Sequence, residues 1–182
     1  MKLSHLKTYC SALLLFLSFN AVAEVNLRTS PIHLLAGIAL FEADFKISDK
    51  WSLGPTGAYT SRDQDGYETN VYAVGVRGNY YFAGTFAQGW YVSPGVQYVS
   101  ASVKDDDPTF GEIEGKASGL AINLFGGYFW MWENFNIQLG AGPVIYTLGG
   151  VTVENDSQNY KENFDGYNGV DLGIEFSLGW KF

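Results

Sequence analysis

Val170-Asp171-Leu172-Gly173-Ile174-Glu175-Phe176-Ser177-Leu178-Gly179-Trp180-Lys181-Phe182 closes the chain. Every even position is a large apolar residue, and every odd one before the end is Gly, Ser or charged. Successive side chains of a strand point to opposite faces, so a period of two predicts a β-strand with one apolar and one polar face.

The start of the chain complements this end. Lys2 and Lys7 precede the apolar run Ala12-Leu13-Leu14-Leu15-Phe16-Leu17, and Ala21-Val22-Ala23 offers a small-x-small cleavage site before Glu24. This order predicts a secretory signal peptide over residues 1–23 and a single domain over 24–182. As a membrane anchor the run is too short to cross about 30 Å of hydrocarbon. The only Cys, Cys10, lies in the segment to be removed, so no intramolecular disulfide is expected in the mature protein. No Cys stands at the cleavage site to carry a lipid.

Composition narrows the class. Mean hydropathy is −0.02 although 16% of residues are aromatic. After Ala23 no apolar run is long enough for a transmembrane helix. A sheet with an apolar outer face and a polar interior hides its hydrophobicity in alternation. The 22 Gly suit tight turns and a crowded interior. With 19 acidic residues against 11 basic, two of them in the leader, nucleic acid is excluded as a partner.

The same alternation recurs backwards along the chain. A polar stretch, Glu154 to Gly169, precedes the last strand. Phe135 to Val153 is strand-like, with Phe135, Ile137, Leu139 and Ile145 on one face. Its partner, Lys116 to Trp130, sets Leu120, Ile122, Leu124, Tyr128 and Trp130 against Ala121, Asn123, Phe125 and Gly127 on the opposite face. A polar loop (Lys104 to Gly115) follows, then a strand with Trp90, Val92, Val96 and Tyr98 outward. A turn near Gly84 to Gln88 leads to the strand Thr69 to Phe82, the loop Arg62 to Glu68 and the strand Trp51 to Ser61. The Asp49-Lys50 turn leads to Gly37 to Ile47, with Phe41, Phe45 and Ile47 outward. Short and long connections alternate, which predicts an all-β, eight-stranded antiparallel up-and-down transmembrane β-barrel with short periplasmic turns and longer extracellular loops. An even strand count makes Val25 to Ser30 the first strand, with Asn26 and Arg28 toward the lumen and Pro31 to Leu35 as the first loop. That strand is shorter than the about 9–11 residues of a tilted spanning strand.

The register sorts the aromatics. Trp51, Phe82, Trp90, Trp130, Trp132, Phe135, Trp180 and Phe182 all fall beside the periplasmic turns or the C-terminus, and all five Trp are among them. Rings with apolar bodies and polar tips belong at a membrane–water interface, so these form the expected lower girdle. Tyr59, Tyr72, Tyr98 and Tyr146 are the candidates for an upper one. A soluble β-sandwich has no reason for this sorting.

Inward positions include Glu42, Asp44, Lys46, Arg77, Asn123, Gln138, Asp171, Glu175 and Lys181. Eight strands leave an interior just wide enough for side chains, and a buried charge there must be paired. Glu42, Arg77 and Glu175 fall at one height, so Arg77 is expected to pair with Glu42, Glu175 or both. Asp44, Lys46 and Asp171 complete the expected cluster. Inward Gly54, Gly95, Gly127, Gly140, Gly173 and Gly179 would leave gaps that Tyr91 and Phe125 are placed to fill.

The expected loops are acidic, with Asp63, Asp65 and Glu68 in one, Asp105, Asp106, Asp107, Glu112 and Glu114 in the next, and Glu154, Asp156, Glu162 and Asp165 in the last. Asp63-Gln64-Asp65-Gly66 lacks the remaining ligands of a calcium loop, so no metal site or other cofactor is expected. The mature chain holds one His, His33, near Ser30 but without a His-x-Ser motif, so no enzyme is expected.

A closing strand of this strictness that ends on an aromatic resembles that of bacterial outer-membrane barrels. The resemblance implies residence in the cell outer membrane, with Phe182 read by the barrel-assembly machinery and lipid and lipopolysaccharide as surroundings. The interior charges resemble the ion-pair cluster of the OmpA transmembrane domain. The architecture is similar to OmpX and OmpW-type proteins, and the OmpW likeness allows transport of small or apolar solutes. Ser30-Pro31-Ile32-His33-Leu34-Leu35-Ala36-Gly37 through Asp49-Lys50-Trp51-Ser52-Leu53-Gly54 also resembles the opening of a family of uncharacterised small outer-membrane barrels, which assigns no activity. The expectation is a monomeric barrel of structural or surface-interaction type with a closed, ion-paired lumen; a narrow channel is the rival and a lipid A-modifying enzyme the third reading.

Overall fold

A computed structural model describes residues 24–64, 67–107, 111–155, 160–166 and 168–182. The expected leader over 1–23 lies outside them, as do Asp65 and Asp156. The side chains of Asp105, Asp106, Asp107, Glu112, Glu154 and Glu162 also fall outside the description.

In chain order the elements are β1 (Val25–Thr29), α1 (Pro31–Leu35), β2 (Ala39–Lys46), β3 (Trp51–Gln64), β4 (Tyr67–Tyr81) and β5 (Gly89–Asp107). They continue with β6 (Gly111–Trp132), β7 (Phe135–Leu148), β8 (Val151–Asn155), β9 (Tyr160–Phe164) and β10 (Asn168–Lys181). Eight of the strands, β1 to β7 and β10, pair antiparallel with their neighbours and close on themselves through β1–β10 and β5–β6. Closure removes the exposed edges that an open sheet would leave. The closing strand lies between β1 and β7, with Leu27 opposite Trp180 and Glu175 opposite Gly140.

The two termini of the barrel itself, Glu24 and Phe182, lie at one end of it, where Phe182 N–H donates to the Val25 carbonyl at 2.8 Å. Local chemistry explains the turns there. Ser48 Oγ accepts from the backbone N–H of Lys50 and Trp51 at 3.4 and 3.1 Å, fixing the β2–β3 turn. Glu133 takes a left-handed φ of 51° in the two-residue β6–β7 turn, as a hairpin matching strand twist requires.

At the opposite end the structure departs from the sequence expectation. Pro31–Leu35 is one short helix rather than a loop. Ser30 caps it by accepting from the His33 backbone N–H, and Pro31 brings a φ preset for a first turn. The stretches expected as loops at 62–68 and 104–115 are mostly strand among their described residues, because β3, β4, β5 and β6 run on into them. Pairing satisfies backbone groups even where the side chains are polar. Phe135 to Val153 is not one strand. It ends at Leu148, and Val151–Asn155 turns to pair with the outer part of β6, then with β9. The wall is therefore uneven: β5 and β6 have 19 and 22 residues, β1 and β2 only 5 and 8.

The two faces of the wall are inverted relative to a water-soluble core. Leu27, Phe41, Leu53, Val74, Ile122 and Ile174 point outward and are exposed. Asn26, Arg28, Glu42, Asp44, Asn79, Gln138 and Glu175 point inward and are buried. The one helix among the described residues is not long and apolar enough to cross a membrane, which says nothing of a barrel.

Candidate functional site

The lumen is built in layers, beginning at the end that holds the termini. Tyr81, Phe86 and Phe129 pack together inside that end, each at most 3% exposed. Phe86 comes from the β4–β5 connection, where a left-handed φ of 59° turns its ring into the barrel. It meets Tyr81 edge-on at 5.7 Å, and Tyr81 meets Phe129 at 5.3 Å. Beside this plug, Asn26 and Asn136 exchange amide hydrogen bonds. The sequence offered no periodic signal for Phe86, because it lies in a turn.

Above the plug sits the charged layer. Arg28 is its centre. Its Nε lies 2.8 Å from Asp44 Oδ2, its Nη2 3.1 Å from Glu42 Oε2, and its Nη1 3.5 Å from Glu175 Oε1. Nη1 also donates to Gln138 Oε1. Arg77 Nη1 lies 2.6 Å from both Glu42 Oε1 and Glu175 Oε1. Tyr91 Oη donates to Glu175 Oε2 at 3.0 Å, Gln138 Nε2 to Glu175 Oε1 at 3.1 Å, and Asn79 Nδ2 to Asp44 Oδ1 at 2.8 Å. The Phe125 ring stacks on the Arg77 guanidinium at 5.2 Å. All five charged residues are buried, so each depends on the others in place of water.

Register explains how such large groups fit. Tyr91 is opposite Gly127, Gly127 opposite Gly140, and Gly140 opposite Glu175. A Cβ at Gly140 would stand 2.2 Å from Tyr91 Oη. The phenol thus crosses two glycines to reach its carboxylate.

The structure brings Glu42, Asp44, Arg77 and Glu175 together but leaves two expected members out. Lys46 lies two residues beyond Asp44, about 7 Å further toward the termini. There its Nζ and that of Lys181 bind Glu24 at 2.6 and 3.1 Å. These two ammonium groups, through the Lys46 hydrogen bond first, hold the Glu24 carboxyl below its ordinary value of 4.5. Asp171 lies four residues from Glu175, about 13 Å toward the far end, and is exposed. Conversely, Arg28 was legible as inward but not as the hub. The signal that finds it is register, since Arg28 is the direct cross-strand partner of Glu42.

Outside, Trp51, Phe82, Trp90, Trp132, Trp180 and Phe182 are exposed around the end that holds the termini, with Trp130 and Phe135 half-buried among them. Tyr80 and Tyr128 join the same band, in ring contact with Trp51 at 5.1 Å and Trp90 at 5.4 Å. At the other end Tyr59, Tyr72 and Tyr98 are exposed. Tyr146 is not with them. It shares the inward parity of Gln138 and Val144 and packs on Ala121, Phe125 and Val144.

Above the charged layer the lumen opens into a cup of about 380 Å³. Glu42, Arg77 and Glu175 form its floor, Phe125, Ala121 and Val144 its wall, and Ser30 and His33 its rim. Ser30 Oγ lies 2.7 Å from His33 Nδ1. The same Oγ caps α1, and among the described residues no acid orients the imidazole, so this contact is a helix cap with a ring beside it.

None of the protein-family models, curated proteins or solved structures compared with the chain matches it.

Proposed function

We propose that this chain is a small, monomeric outer-membrane β-barrel of structural or surface-interaction type, exported by a leader over residues 1–23. The observation that carries this reading is the inverted wall. Leu27, Phe41, Leu53, Val74, Val76, Ile122, Leu124 and Ile174 stay exposed on a closed sheet that buries Arg28, Glu42, Asp44, Arg77 and Glu175 inside. In water such a surface would aggregate; against lipid tails it is matched. The aromatic band fits the boundary between tails and headgroups, and Phe182 fits the terminal signal for the assembly machinery. Lipid and lipopolysaccharide are then the partners, and nucleic acid is not one.

The fractionation test is direct. Expressed in a bacterium with two membranes, the chain should begin at Glu24, sediment with the outer membrane and migrate faster on unheated than on heated gels. Recovery in the soluble fraction, or a mobility indifferent to heat, would overturn the reading. The plug and the charged layer support a closed lumen, whereas the cup favours the rival, a narrow solute path. Planar-bilayer recording separates them, since discrete openings would reject closure.

A further inference from the structure

We propose that the cup is a binding site for a small organic cation with an apolar body. The argument begins with charge. Two guanidinium groups, Arg28 and Arg77, face three carboxylates, Glu42, Asp44 and Glu175, in one buried network. Counted with every group ionised, the layer carries one negative charge more than its own cations neutralise. Burial makes an uncompensated charge expensive, so the site favours a cation that comes in from outside. Lys46 and Lys181 do not supply it, because Glu24 holds them at the end with the termini.

Geometry says where that cation enters. Of the three carboxylates, Glu42 and Glu175 line the cup, while Asp44 lies beneath them with Asn79 and Arg28. The cluster of Tyr81, Phe86 and Phe129 packs on the other side of the charged layer. A second observation is independent of the carboxylates. Asn123 lines the cup and is 5% exposed, yet its Oδ1 has no hydrogen-bond partner. Native structures seldom leave a buried acceptor unpaired, and this one suits an ammonium N–H. Ser177 Oγ, also lining the cup and buried, is likewise without a partner. Ala121, Phe125 and Val144 give the apolar half. At about 380 Å³ the cup is near the lower end of the roughly 300–1,000 Å³ of ligand pockets, so the ligand is small.

The test uses the folded chain in a non-ionic detergent and phenethylammonium as the probe, with 2-phenylethanol and 3-phenylpropionate as neutral and anionic counterparts. Calorimetry should give saturable binding of one ammonium per chain, the alcohol at least roughly tenfold weaker and the carboxylate undetectable, as loss of a charged hydrogen bond implies. Glu175→Gln should weaken the ammonium by roughly tenfold while leaving the alcohol unchanged. Ala121→Phe should abolish binding by placing a ring in the cup, and Asn123→Leu should weaken ammonium binding by removing the Oδ1 acceptor. Heat-modifiable mobility shows which variants remain folded, and either suffices. No saturable binding to the wild type, equal binding of ammonium and alcohol, or ammonium binding that survives a filled cup would each overturn the proposal. The last outcome would assign the cation to the acidic far end instead.

Discussion

The two halves of the lumen solve the same problem differently. In the half near the termini, Tyr81, Phe86, Phe129 and the Arg28 network fill the space between the walls. In the far half, inward positions hold Ala121, Val144 and Gly173, and a cup remains. The walls differ in the same sense. All eight barrel strands pass the lower half, but β1 ends at Thr29, and α1 takes over on that side while β5 and β6 continue. The lesson is that filling follows the number of large inward side chains per layer. Where glycine alternates with a long polar residue, the long residue crosses the gap. Where small residues meet small residues, the gap stays.

The largest effect should come from the hub of the filled half. Arg28→Met leaves Glu42, Asp44 and Glu175 with Arg77 alone, and breaking a buried pair costs about 3–5 kcal/mol. Urea unfolding in lipid vesicles, followed by Trp fluorescence, should show a midpoint far below wild type. A midpoint unchanged from wild type would mean that the layer does not hold the lower half together. Phe86→Ala should follow at about 3 kcal/mol, because removing a buried ring leaves a cavity. If its loss is neutral, the plug is decoration rather than packing.

A pair of glycines sharpens the contrast between the halves. In the filled half Gly140→Ala puts a methyl 2.2 Å from Tyr91 Oη, which is tied to Glu175, and 3.0 Å from the Gly126 carbonyl oxygen. Overpacking of this kind costs about 1–3 kcal/mol. At the cup Gly173→Ala meets the Phe125 ring and Val144 at 2.8 Å, and the ring has free space beside it. The second change should cost less than about 1 kcal/mol in the same urea experiment. Equal costs would erase the distinction.

The smallest effect belongs to Glu24, which is partly exposed. Its folded carboxyl titrates below the ordinary value of 4.5, so the folded state binds that proton less readily than the unfolded chain. The contribution is full above the ordinary value and fades as pH falls through the lower folded one. Glu24→Gln should therefore be slightly less stable than wild type near about pH 7 and indistinguishable from it near about pH 2. A difference that grows on acidification would reverse the assignment.

Much of this molecule was legible in the chain, but unevenly. The outward face was readable residue by residue, from Phe41 and Phe45 to Ile174 and Trp180, because alternation is a local property of a strand. Inward parity was equally legible, and Arg28, Glu42 and Glu175 were all assigned to the lumen. Their heights were not. Lys46 and Asp171 share the parity of the cluster yet lie outside it, because height depends on where each strand stands against its neighbour. Tyr146 shows the same limit in reverse, since its position suited an outer band but its parity sends it inward. Phe86 had no readable signal at all, since a turn carries no period.

The sequence by itself determined the strands, their two faces and the aromatic sorting at one end, since those depend on spacing of two along one segment. The tertiary structure alone decided that Arg28 is the hub, that Phe86 packs into one end of the lumen, and that a cup remains above the charged layer. These depend on which residues of eight distant segments reach the same level, and only the closed ladder of backbone hydrogen bonds sets that level.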